Sequence, residues 1–251
     1  MGPAATSRLV SVAALIALLA AAPAVAQPAS EDWTHTIVVY GWGAGLSGEA
    51  GVGGVEADVD VGFSELLQNL EAGGMLAYRG SNDRWAVMGN VIFVGLGATK
   101  DLPLGGTADV DVDQWILEAD GAWRANDRFE VLFGLRAYSL DLATKIRNSP
   151  LASAQADGSK TWIDPVVGAR VQVPLGKSWS FVGRGDLGGF GVGSDLSWQA
   201  VARFDWQGSQ RVGMSFGYLL LDVDYEAGEA QDLFGYDMTT AGPFLALTIR
   251  L

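Results

Sequence analysis

The chain has 251 residues with a formal net charge of −13, 34 glycines, nine tryptophans and no cysteine. Without cysteine an exported chain cannot be a disulfide-stapled scaffold, so closed hydrogen bonding and burial must hold it together. The acidic balance excludes nucleic acid as a partner, because phosphates require a basic footprint.

The first segment reads as an export leader. Arg8 and the amino terminus precede an apolar run from Leu9 to Ala22, and Pro23 breaks it. Ala24-Val25-Ala26 then supplies the small residues that a signal peptidase requires, predicting cleavage before Gln27. Residues 1–26 are therefore expected as a signal peptide and 27–251 as one domain. An uncleaved anchor is the alternative, against which Pro23 and the small-residue site both speak. No later stretch approaches ~20 uninterrupted apolar residues, so no spanning helix follows.

The mature part repeats one unit: a tight polar turn, then a stretch alternating apolar and polar residues. It occurs at Asn82-Asp83-Arg84-Trp85, Asn126-Asp127-Arg128-Phe129, Gly176-Lys177-Ser178-Trp179 and Ser209-Gln210-Arg211-Val212. Gly, Asn, Asp and Ser between alternating runs signal hairpins. Strands are predicted at 34–46, 71–80, 84–98, 110–123, 128–142, 160–174, 178–190, 195–207, 211–224 and 236–251. Longer acidic or Gly-rich connections fall near 99–108, 145–157 and 226–234, with a shorter one near 191–195. Short turns at one end and long connections at the other are the asymmetry of a bacterial outer-membrane barrel. The fold class expected is all-β: a single antiparallel transmembrane β-barrel of about ten strands, eight and twelve being the neighbouring even counts.

Residues 47–70 form one external excursion in this scheme, with Val55–Val61 as an extension hairpin strand outside the bilayer. Within it Phe63, Leu66, Leu67 and Leu70 follow helical spacing, predicting a short helix near 64–70 with Ser64 as N-cap. That helix either packs its own loop or folds over the barrel mouth.

Period-two alternation assigns the faces. On the strand 160–174, Ile163, Pro165, Val167, Ala169, Val171 and Val173 point one way, while Trp162, Asp164, Gly168, Arg170 and Gln172 point the other. The lumen side then collects Glu118, Asp120, Glu130, Asp164, Asp186 and Asp205. Facing them are Arg124, Arg136, Arg170, Arg184, Arg203 and Arg250. Ions taken out of bulk water persist only when paired and hydrogen-bonded, and a balanced set meets that condition. Such a network either fills and rigidifies a narrow barrel or offers a polar path for a small solute. Outward parity is apolar: Trp115, Leu117 and Trp123 share one face, as do Phe129, Val131, Phe133 and Leu135. Trp85, Phe129 and Trp179 each follow a tight turn at one depth, as an aromatic girdle does.

Other signals are weaker. Acidic alternation at Asp58/Asp60, Asp109/Asp111/Asp113 and Asp222/Asp224 flanks the long connections. A calcium hand fails there, since from Asp109 its sixth and twelfth positions are Gln114 and Asp120. Divalent cations bridging these acids to outer-leaflet phosphates remain an expectation, beside a simply solvated rim. Arg184-Gly185-Asp186 sits mid-strand, and the Gly-rich stretch from Gly183 to Gly193 precedes no helix, so it is no phosphate loop. Those glycines are expected to allow close approach or curvature. With His35 as the only histidine, at the periplasmic end, and no cysteine, a nucleophilic site is hard to build. No enzyme and no cofactor is expected.

The stretches Trp162–Arg170, Gly183–Asp195 and Trp198-Gln199 resemble a widespread group of poorly characterised outer-membrane β-barrel proteins of Gram-negative bacteria. Tyr40-Gly41-Trp42, Phe63 to Leu70 and Leu221–Tyr225 fit the same pattern, so the resemblance spans nearly all the mature chain. It implies fold and outer-membrane location, with membrane lipid, lipopolysaccharide and the barrel-assembly machinery as partners. One departure is the terminus: many such barrels end in Phe, whereas this chain ends Thr-Ile-Arg-Leu251, although Leu245, Leu247, Ile249 and Leu251 keep the outward alternation. The function expected is structural or a narrow permeation path for small solutes. The alternatives are a soluble periplasmic ligand-binding barrel or a lipid-modifying outer-membrane enzyme.

Overall fold

A computed structural model describes residues 33–52, 55–101, 106–147 and 154–251. The leader expected at 1–26 lies outside the described residues, as do 53–54 and parts of the expected connections 99–108 and 145–157. The elements are β1 (Thr34–Trp42), β2 (Gly45–Val52), β3 (Val55–Val61), α1 (Phe63–Gln68), β4 (Leu70–Ser81), β5 (Trp85–Asp101) and β6 (Thr107–Arg124). There follow β7 (Phe129–Arg147), β8 (Ala154–Pro174), β9 (Trp179–Gly189), β10 (Leu196–Gln207), β11 (Val212–Ala227) and β12 (Phe234–Arg250).

Strands β4 to β12 pair in sequence order, and β1 pairs both β4 and β12, which closes an antiparallel barrel of ten strands. The closure leaves no free edge in that ring, the condition for a sheet to cross hydrocarbon. The remaining pair, β2 and β3, extends the sheet from the external half of β12, with Phe234↔Val52 to Ala241↔Gly45 joining β12 to β2. Val55–Val61 thus forms the expected extension hairpin, its register running from Leu46↔Val61 to Val52↔Val55.

The periplasmic turns owe their tightness to side-chain acceptors. Asn82 Oδ1 accepts from the amides of Arg84 and Trp85, and Asn126 Oδ1 from those of Arg128 and Phe129. Ser209 Oγ accepts from Val212 N in the same way. Each side chain bonds backbone two or three residues on, so the chain reverses without waiting for its ladder.

Burial along β7 settles which face meets what. Phe129, Val131, Phe133 and Leu135 are 39, 39, 47 and 55 % exposed, while the intervening Glu130, Leu132 and Arg136 are 4, 0 and 1 %. A soluble sheet would not leave its apolar face bare and bury its charges. The bare face is the lipid belt of a transmembrane barrel, flanked near the turns by Trp85 opposite Trp123 and Trp179 opposite Trp206.

Three expectations need correction. The strand 34–46 breaks at Gly43 and Ala44, where Gly43 N donates to Pro243 O, and β2 then resumes on β12. Much of the expected connections 99–108 and 145–157 is strand: β7 and β8 stay paired up to Ile146↔Ala154. Apolar patterning stops at the bilayer, but ladder hydrogen bonds do not need it, so hairpins continue beyond the membrane. Finally, Ser64 lies inside α1 rather than capping it. Gly62 holds the N-cap position and makes no side-chain bond.

Candidate functional site

The lumen has two storeys built from the same inward parity. The lower one is ionic. Arg136, on β7, donates through Nε to Glu118 Oε2 at 2.6 Å and through Nη2 to Asp186 Oδ1 at 2.6 Å. Arg184, on β9, reaches Glu118 Oε1 at 2.8 Å, Asp120 Oδ2 at 3.0 Å and Asp186 Oδ2 at 2.8 Å. Two guanidiniums thus hold three buried carboxylates from β6 and β9, and Gln199 Oε1 accepts a further bond from Arg136 at 3.3 Å. The planar fork of arginine is what allows one side chain to bind two strands at once.

Nearer the periplasm Glu130 meets three guanidiniums. Arg79 Nη2 lies 2.6 Å from Oε1, Arg170 Nη1 3.1 Å from Oε2, and Arg124 Nε 3.5 Å from Oε1. Arg203 pairs with Asp205 at 2.9 Å. A polar vestibule of about 540 Å³ opens below this belt toward the periplasmic turns.

The external half is apolar. Above the belt, Ile92, Ile116, Trp42, Tyr236 and Met238 project into the lumen and are nearly fully buried. They line a chamber of about 1380 Å³, to which Phe63, Leu66 and Leu67 of α1 also contribute. The helix is thus part of the chamber wall. Polar groups are sparse: Gln114 Nε2 donates to the Tyr236 hydroxyl at 3.0 Å, and Lys160 Nζ sits 5.6 Å from the centre of the Phe234 ring.

One side of the lumen is filled by a stack. Trp162 lies between Tyr138, 4.9 Å away at 17°, and Tyr225, 4.0 Å away at 9°. Its Nε1 donates to Ser194 Oγ at 2.9 Å, which pulls the β9–β10 connection inward. Asp164 fastens that connection, accepting Ser194 N at 2.7 Å and Ser197 Oγ at 2.8 Å. A Cβ on Gly193 would lie 2.5 Å from Asp164 Oδ1, so this inward fold requires glycine there.

Of the residues singled out by parity, Glu118, Asp120, Arg136, Arg184 and Asp186 form one cluster. Glu130, Arg124 and Arg170 belong to a second, and Arg203 with Asp205 to a separate pair. Asp164 faces inward opposite Arg136 in register but bonds the connection instead. Arg250 is exposed and bonds Gln207. Arg79 was missed, although its alternation with Met75 and Ala77 signals an inward position. The apolar chamber was missed too. On β6 the charged inward series Asp120, Glu118 continues outward as Ile116, and no local pattern separates a lumen wall from a core. Among the described residues no three His, Cys, Asp or Glu side chains converge as a metal site.

No family model matches the sequence, and no curated protein does. Among solved structures, the chain is similar to Ail, the attachment invasion locus protein of Yersinia pestis. That match has 13 % identity and a TM-score of 0.41, covering 88 % of this chain and 100 % of that one. The translocator domain of autotransporter NalP from Neisseria meningitidis shares 12 % identity at a TM-score of 0.39, covering 99 and 97 %. The Ralstonia pickettii toluene transporter TbuX shares 10 % at 0.39, covering 88 and 89 %.

Proposed function

We propose that this is a non-enzymatic outer-membrane barrel that holds an apolar small molecule in its external half, above an ionic belt that keeps the lumen closed to free passage. The observation that carries this is the chamber of about 1380 Å³, walled by apolar side chains and roomy enough for a drug-sized molecule. Few polar groups converge there, so recognition rests on apolar area rather than on hydrogen bonds. An apolar interior of this size in contact with water is costly to keep empty, whereas a hydrocarbon-like occupant removes that surface from water. The only histidine, His35, bonds the Tyr78 hydroxyl at the periplasmic end, far along β1 from the chamber, which favours binding over catalysis. The same reading takes residues 1–26 as a cleaved leader. It keeps membrane lipid, lipopolysaccharide and the assembly machinery as partners, and places any divalent cations at the external acids.

The test uses the folded barrel in lipid nanodiscs with N-phenyl-1-naphthylamine, a neutral apolar fluorophore, followed by energy transfer from tryptophan. Saturable binding is expected, weakened about tenfold by Val94→Asp, which puts a carboxylate on the half-buried chamber wall. Absence of saturable binding, or indifference to that substitution, overturns the reading.

A further inference from the structure

We infer that the chamber opens sideways into the outer leaflet through a window in the wall between β1 and β4, which admits apolar molecules dissolved in the membrane. The inference deepens the proposed binding function and rests on it.

The window is a gap in the ladder. Strand β1 follows β4 only from Thr34↔Ser81 to Val39↔Leu76. Beyond that point β1 keeps β12, with Gly41↔Leu245 and Trp42↔Phe244, and β4 keeps β5 as far as Leu70↔Leu96. No strand pairing joins Tyr40–Trp42 to residues 70–75. The β8–β9 ladder also stops short, at Val166↔Gly188, but there the β9–β10 connection lies against β8, with Ser194 N bonded to Asp164. Unpaired backbone in hydrocarbon is tolerated only where it is covered by protein or lines a cavity.

Its depth follows from the pairing. Five residues of tilted strand, at ~3.4 Å each and a tilt near 40°, raise the end of the β1–β4 ladder about 13 Å above its start. A lipid belt is ~25 Å tall, so the gap begins about halfway and faces the outer leaflet. Flanking side chains agree: Leu76 on one side and Leu245 on the other point outward and are 47 and 58 % exposed.

The chamber reaches this gap. Its lining includes Gly41, Gly74 and Leu245, which lie on the outward parity of their strands. Glycine leaves the frame bare: a Cβ on Gly41 or on Gly74 would meet nothing within 4 Å. Beside the gap the Phe63 ring of α1 lies 3.5 Å from where a Gly43 Cβ would stand. The helix is therefore placed as the shutter of the window, and it is short, exposed and lacks a side-chain cap. An occupant that comes through hydrocarbon is apolar, which matches the chamber walls.

Open space around both glycines supplies the test. The double variant Gly41→Leu/Gly74→Leu fills the window without a backbone clash, and Gly185→Leu, on the outward face of the fully paired β9, is the control. Each folded barrel, checked by heat-modifiable mobility, is placed in vesicles preloaded with N-phenyl-1-naphthylamine. Stopped-flow energy transfer from tryptophan gives the rate at which probe leaves the bilayer for the chamber, its decay on mixing with empty vesicles gives the rate of release, and titration gives Kd. Because both glycines line the chamber, the two rates decide rather than Kd: entry and release both about tenfold slower in the double variant, with Gly185→Leu like wild type, support the window. Unchanged entry, whatever happens to release, overturns the window and leaves the binding function standing. Failure of the wild-type barrel to bind the probe overturns both. Should the double variant not fold, Gly74→Leu alone carries the same readouts.

Discussion

Arg136 is the residue on which most of the ionic belt turns. It is 1 % exposed, and its two ion pairs join β7 to adjacent β6 and to β9, two strands away. Pairing does not make such ions a large net source of stability, because desolvation consumes much of the Coulombic gain. Removing one partner is a different matter, since the remaining charges keep their desolvation cost without compensation. Arg136→Met should therefore cost about 3–5 kcal/mol in urea unfolding of the detergent-folded barrel. Adding Glu118→Gln and Asp186→Asn should restore more than half of the loss. A single variant as stable as wild type would show that water already reaches these groups. The sequence made the inward position of Arg136 legible, because parity is a local property of one strand. It did not reveal the choice of partners. Asp164 stands opposite Arg136 in register, yet the guanidinium turns to Glu118 and Asp186 while Asp164 takes Ser194 and Ser197.

Elements divide in the same way between local and non-local causes. The hairpins around Asn82 and Asn126 could be read directly, since their turn chemistry acts within three residues. The break between β1 and β2 could not, because Gly43 is set by its bond to Pro243, 200 positions away along the chain. Gly48 is similarly obscure in sequence: its φ of +146° and a would-be Cβ 2.1 Å from Asp237 O matter only once β2 lies on β12. The β9–β10 connection shows what such close approaches hold in place. Gly193→Val should expel it from the lumen, breaking both the Ser194 amide bond to Asp164 and the bond from Trp162 to Ser194. Two buried polar groups would then lose partners, at about 1–3 kcal/mol each. Ser194→Ala removes only the hydroxyl and should cost less. Unfolding midpoints rank the two variants, and Trp162 emission, shifted to the red only in Gly193→Val, reports release of the stack. Equal losses would show that Gly193 has no part in folding the connection inward.

At the scale of the whole molecule, the lumen narrows to a waist. The vestibule of about 540 Å³ and the chamber of about 1380 Å³ lie on opposite sides of the Arg136–Arg184 belt. Ten strands leave a narrow interior, and the large charged side chains of β6, β7 and β9 project into it at that level. An ion crossing the waist would have to shed water and displace groups already bonded to one another, so the resting barrel should not conduct. The parity pattern alone left both a filled barrel and a polar path open, because it says which side chains point inward but not whether they meet. Planar-bilayer recording in molar salt decides the matter. Wild-type barrels should insert without steady single-channel conductance. Replacing Arg136, Glu118 and Asp186 together by serine removes the waist and keeps its charge nearly balanced, so a steady ohmic conductance should then appear. Conductance in the wild type would mean that the belt lines a water path rather than closing one. Silence in the triple variant would move the seal upward, to the apolar chamber and the aromatic stack around Trp162.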